Sequence, residues 1–349
     1  MNRDLSISDF KTTVNGRQTN LFFLENRHGV RAAITNYGAR VVAIWVPDSN
    51  GEPDNIIAGY NSIAGYLNHD EAYLGAMVGR YANRIKDAAF ELQGKKYNVT
   101  ANEGKHHIHG GETGFHNRVW QAEQTEKNSL ILKLLSEDGQ EGFPGNIEVK
   151  VIYTFTDDDE LILETEATSD SDTIINITNH SYFNLSGEID RIAAREHQLM
   201  INANSYLPID EDKIPFGKQE SVDSSPFDFR TYRVIEKQLD PDHRQNEIGE
   251  GYDHTMLLNK TSVNAFEFAA AVKEPNSGRT MELSTTEPGL QFFECLFPEE
   301  MELNFKSAFC LEPQHFPDSP NRSHFPTAVL KAGEQFYSKS SYCFSNEAK

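Results

Sequence analysis

The sequence is short of almost every feature that marks a specialised class. Only three cysteines occur in 349 residues, Cys295, Cys310 and Cys343. An odd number without close CxxC spacing argues against a disulfide framework and a zinc knuckle, and fits thiols kept in a reducing compartment. No long apolar run is present, and the first twenty residues, MNRDLSISDFKTTVNGRQTN, contain no apolar stretch of the kind a secretory leader or signal anchor needs. The expected location is therefore the cytoplasm. Cationic residues are also scarce: 32 Lys and Arg stand against 53 Asp and Glu, a formal net charge of −21. That field repels phosphate backbones and anionic headgroups, which excludes nucleic acid and membrane as partners, while an uncharged small molecule is not penalised. Missing too are a GxSxG elbow, a GxxxxGK[ST] loop, a strand-linked GxGxxG and an HExxH helix.

What the chain does have is strand signals, from about Leu21 onward. Ile147, Val149, Val151, Tyr153 and Phe155 recur at every second position, and Asp157 to Asp159 supply a turn before Leu161, Ile162 and Leu163. That spacing predicts a β-hairpin. Phe90 and Leu92 lead through Gly94 to Tyr97 and Val99, and Phe266 to Val272 leads through Asn276, Ser277 and Gly278 to Met281 and Leu283, predicting two more. Helical periodicity is confined to short stretches near Ser62 to Leu67 and Tyr232 to Gln238. With no repeat and no Pro/Ser-rich linker, one large antiparallel β-sandwich is the economical architecture.

Five places concentrate polar residues that folding does not demand. Gly79 to Ile85, GRYANRI, carries two arginines and an asparagine. An Arg fork beside an amide suits a ligand rich in hydroxyl oxygens, and equally a surface turn closed by a salt bridge. In His106 to Gly111, His107 and His109 would share one face of an extended segment. A metal pair, solvated histidines and a substrate-facing hydrogen-bonding histidine all remain open there. A cupin-like metal site with Glu112 lacks the expected glycine spacing and the longer gap to the acid. His180, in TNHSYFNL, follows an apolar strand and has aromatic neighbours able to pack on a sugar; it is either a proton donor or a core histidine bonded to backbone. Asp253, in GYDH, is a hydroxyl acceptor or an Asx-turn. Glu312, in CLEPQHFPDSPN, sits at the end of an apolar strand step and is expected to be halted by Pro313; a carboxylate there is costly unless paired or used. Gln291, in PGLQFF, adds an amide in an aromatic setting.

Taken in order, GRYANRI, HHIHGG, TNHSYFNLSG, PFDFR, GYDH, PGLQFF and CLEPQHFPDSPN make a set that resembles the aldose 1-epimerase family, over about residues 10 to 345. The resemblance implies a large antiparallel β-sandwich of the mutarotase type (a supersandwich), with few short helices and one domain over residues 1–349. It implies Glu312 as general base, His180 as general acid and His109 assisting near the ring oxygen. Asp253 would accept from sugar hydroxyls, while Asn83, Arg84 and Gln291 help hold the ring. The substrate would be a free hexose, the reaction anomer exchange by ring opening and closure, with no metal or other cofactor and a monomer or weak dimer as the working unit. Glu312 is expected ionised, near the ordinary ~4.3, and His180 protonated from an ordinary ~6.5. Two departures from the family pattern stand out: Glu294 to Glu300 replaces a small polar turn at the cleft rim, and Pro313 stands where a threonine is usual.

Overall fold

The computed structural model describes residues 5–68, 73–187, 194–297, 303 and 305–346. Its larger sheet has nine strands, in the order Gln121–Glu126, Ser129–Ser136, Ile147–Phe155, Glu160–Ser169, Gln335–Asn346, Arg279–Thr285, Glu267–Lys273, Gln198–Ile201 and Arg233–Val234. The last long strand joins the two halves, pairing antiparallel with Glu160–Ser169 on one side and Arg279–Thr285 on the other. All three expected hairpins form. Phe155 faces Leu161, Phe90 faces Tyr97, and Val272 faces Met281. In Ile147–Phe155 alternate residues are buried, the period that one wet and one dry face requires.

A six-stranded sheet runs Tyr182–Phe183, Ser307–Gln314, Gly289–Leu296, Asp253–Leu258, Ala203–Tyr206, Glu220–Ser221, and a four-stranded sheet is built from Leu21–Glu25, Arg31–Thr35, Arg40–Pro47 and Pro53–Asn55. The main core draws on all three sheets: Leu24 and Ile34, Val149 and Leu163, Met256 and Phe309 belong to one apolar cluster. Helix is limited to single turns or little more. Ile63–Asn68 matches the first expected stretch. The second is shorter than expected, because Arg233–Val234 is strand and the helix spans only Ile235–Gln238.

Strand Ser307–Gln314 is buried along its whole length. Its odd-numbered residues Phe309 and Leu311 enter the main core, while Ala308 and Cys310 join a second cluster on the other side. Glu312 therefore points away from the main core by strand alternation. Pro313 does not halt this strand, contrary to expectation: it stays in register opposite Leu290. The neighbouring Tyr182–Phe183 strand reaches only Cys310 and Phe309, which leaves an open edge where proline is tolerated.

Candidate active site

Register alone assembles half of the polar cluster. Glu312 lies opposite Gln291, Gln291 opposite Thr255, and Asp253 opposite Phe293, which itself faces Cys310. Directly opposed residues share a face, so Asp253, Gln291 and Glu312 emerge from three adjacent strands onto one side. Gln291 Nε2 donates to Asp253 Oδ1 at 2.7 Å, and its Oε1 accepts from Thr255 Oγ1, which fixes which way the amide points. Tyr182 faces Cys310 on the same side. His180, two residues earlier, is anchored by its backbone N–H to the Ala76 carbonyl at 2.8 Å. Its Nε2 lies 3.6 Å from Glu312 Oε2.

The opposing wall comes from the Asn83–Ile85 and His107–Gly111 segments, where Arg84–Ile85 pairs with His107–Ile108. Asn83 and His109 both take left-handed backbone conformations, φ 62° and 52°. This turns the Asn83 N–H onto His109 Nδ1 at 3.1 Å. A ring nitrogen that accepts carries no proton, so His109 is the Nε2–H tautomer. The turn at His109 also ends the extended segment, so His107 and His109 do not share a face. His107 Nδ1 instead meets the Thr100 carbonyl at 2.7 Å and the ring lies edge-on to Phe143. Among the described residues no three metal-ligating side chains converge.

Arg84 makes a two-pronged pair with Glu103, at 2.6 and 2.8 Å, and its remaining nitrogen is 3.5 Å from Asp253 Oδ2. The Asn83 Oδ1 accepts the Arg84 N–H at 2.8 Å and so shapes the turn that presents Arg84. The other arginine of the motif is structural. Arg80 is buried and donates to the carbonyls of Ser136, Glu137, Pro144 and Gly145.

Three neighbours of the site escaped the sequence reading, and a fourth, Tyr182, entered it only as an aromatic beside His180. Tyr73 packs against His109 and His180, with ring centroids 4.6 and 6.0 Å away, and no local pattern marks it. Tyr182 stacks on His180 itself, with ring centroids 4.9 Å apart. Cys310 Sγ lies 3.4 Å from His180 Nδ1, and its position two residues before Glu312 on a strand was a usable signal. Lys213 Nζ stands 3.8 Å from Asp253 Oδ2. At the rim, Glu294 to Leu296 complete a strand, with Glu294 paired to Arg195, whereas Pro298 to Glu300 lie outside the described residues.

The electrostatics correct the expectation of ordinary acid and base. Glu312 is 2% exposed. Burial, and then repulsion from Asp253, push its carboxyl well above the usual range against the pull of Arg84. Its Oε2 has no hydrogen-bond partner among the described residues. Burial pushes His180 down to about 4, although its backbone hydrogen bond and Asp253 resist. His109 is driven below its ordinary value by burial and by His180 and Arg84. Asp253 behaves in the opposite way. Burial raises it, but Arg84, Lys213, His254 and Gln291 together outweigh that and keep it below the usual carboxylate value. The site thus holds one firmly ionised acceptor, Asp253, beside an imidazole and a carboxyl that both favour neutrality.

The chain as a whole is similar to known proteins. The family model described as aldose 1-epimerase matches residues 20–343. A galactose mutarotase of Bos taurus is 36% identical over 315 residues, covering 88% of this chain and 89% of that protein. An aldose 1-epimerase of Haemophilus influenzae is 34% identical over 346 residues, covering 96% and 99%. The crystal structure of a galactose 1-epimerase from Lactobacillus acidophilus superposes with a TM-score of 0.84 at 26% identity, covering 96% of this chain and 97% of that one. The chain belongs to the aldose 1-epimerase family.

Proposed function

We propose that the cluster interconverts the α and β anomers of a free hexose such as galactose or glucose by general acid/base ring opening. The observation that carries this reading is the approach of Glu312 Oε2 to His180 Nε2, 3.6 Å, beside the Arg84–Asp253–Gln291 network. Opening a cyclic hemiacetal removes a proton from the C1 hydroxyl and delivers one to the ring oxygen. Glu312 takes the first and His180 gives the second. Rotation about C1–C2 then presents the other face of the aldehyde, and the same two groups return the protons on closure. Asp253 accepts from ring hydroxyls, Asn83, Arg84 and Gln291 help hold the ring, and the His109 Nε2–H assists near the ring oxygen.

Protons balance without a cofactor. The closed-ring complex needs ionised Glu312 and protonated His180; the open-chain complex needs both neutral. Burial disfavours charge on each, so it lowers the open-chain protonation state relative to the closed one. Hydroxyl hydrogen bonds from bound sugar restore the ionised arrangement on the other side of the cycle. The reading extends to a single catalytic domain over residues 1–349, working in the cytoplasm as a monomer or weak dimer. A core shared by all three sheets supports the first part.

The test is mutarotation of pure α-galactose, followed by polarimetry or by coupling to a β-specific galactose dehydrogenase. Catalytic amounts of the protein accelerate exchange above the spontaneous rate. A protein that only binds sugar leaves that rate unchanged. Initial rates on galactose, glucose, xylose and glucose 6-phosphate then rank the substrates.

A further inference from the structure

A second group of titratable side chains lies outside the hemiacetal site, where two of its strands begin or end. Glu287 stands between strands Arg279–Thr285 and Gly289–Leu296, and His315 directly follows Ser307–Gln314. The Glu287 side chain is 3% exposed and its Oε2 receives His315 Nδ1 at 2.8 Å. The backbone N–H of His315 is held by Asn176 Oδ1 at 2.9 Å, so the ring is located from both ends. Burial opposes charge on each member, yet mutual attraction outweighs it: His315 is raised and Glu287 lowered from their ordinary values.

A buried carboxylate–imidazolium pair costs desolvation that an apolar pair of similar size avoids. Here the pair leaves one donor over. His315 Nε2 has no hydrogen-bond partner among the described residues, and the ring lines a cavity of about 950 Å³ together with Leu257, Asn264, Phe316 and Thr327. That volume falls within the ~300–1,000 Å³ of small-molecule sites, with apolar surface and a few polar groups in the usual mixture. Lys260, which also lines the cavity, donates through Nζ to the Ala265 and Thr285 carbonyls. The dyad is neutral as a pair, and Lys260 is the cation lining the cavity, with Glu267 and Glu287 as its interacting opposite charges.

We infer that this cavity is a second ligand site, separate from the sugar cleft, which takes a small anion-bearing metabolite whose carboxylate or phosphate oxygen accepts from His315 Nε2. An imidazolium N–H can only donate, and an oxyanion is the acceptor that gains most from it. Phe316 and Leu257 supply a surface for the remainder of the molecule.

The test uses inorganic phosphate and acetate as probes, with the His315 ring resonances followed by NMR. A saturable shift, undisturbed by excess galactose, is the expected result; the stronger of the two probes identifies the acid class. The double variant Glu287→Gln, His315→Asn replaces the ion pair by an amide pair. In it probe affinity, read by calorimetry, falls about 10- to 100-fold, the worth of a charge-assisted hydrogen bond, while mutarotation is kept. Should that variant not fold, Lys260→Gln lowers probe affinity in the folded protein. No saturable shift with either probe, affinity retained in the double variant, or displacement of the probe by galactose overturns the inference.

Discussion

Lowering the pH from 7 to 5 should unfold this protein far more readily than its carboxylates alone would suggest, because three buried histidines outside the acid/base pair must stay neutral. Burial brings His107 down to about 4, against the pull of the Thr100 carbonyl and Glu141. His116 falls to about 3 through burial and Arg40, and His254 to about 3 through burial, despite Asp253. In the unfolded chain each returns to ~6.5. Between about pH 6.5 and the folded value the unfolded state binds the extra proton, so stability is complete above that window and is lost as pH falls through it. At pH 5 each ring contributes a loss of about 2 kcal/mol, about 6 kcal/mol together, against a typical total of about 5–15 kcal/mol. His109 and His180, also depressed, act in the same direction. Glu312 and His315, both raised, bind protons more tightly in the fold and oppose it. The assay is urea unfolding at pH 7 and pH 5. With a slope of about 3 kcal/mol/M the midpoint drops by about 2 M. A midpoint unchanged or higher at pH 5 refutes the claim that these rings are held neutral by burial.

Other consequences are read from single positions. Arg84→Lys keeps the charge but loses the fork that spans Glu103 and Asp253; kcat/KM in the coupled assay should fall about 10- to 100-fold, and a change below about twofold would remove Arg84 from sugar positioning. A methyl at Gly110 would sit 1.9 Å from the Gly79 carbonyl oxygen, at a positive φ of 84°. Gly110→Ala should therefore cost more than about 1 kcal/mol in chemical unfolding and lower activity by displacing its neighbour His109. Phe309 is fully buried against Phe183 and His197; truncation to Ala should cost about 3–5 kcal/mol, and a loss under 1 kcal/mol would contradict the packing described.

How much of this was legible in the sequence depended on distance along the chain. Hairpins such as Ile147–Ser169 were readable because strand period and turn residues are local. The register that aligns Asp253, Gln291 and Glu312 was not, since it is fixed by pairing across tens of residues. Position in a motif named Glu312 and His180 but not their protonation. Burial decides that, and burial is a tertiary property. Likewise nothing local distinguishes Arg80, spent on backbone carbonyls, from Arg84, which meets Asp253, or shows that His109 leaves the extended path on which His107 lies. Tyr73 and Lys213 reach the site from segments that lie outside every one of the seven motifs, so only the fold could reveal them.

The measurement closest to the central claim is the mutarotation rate of Glu312→Gln, an isosteric change that removes the ionisable group and leaves the buried volume filled. With circular dichroism unchanged, the account predicts a fall of about 10²- to 10⁴-fold in kcat, and a comparable fall in His180→Asn. A folded Glu312→Gln protein turning over galactose at the parent rate would contradict it.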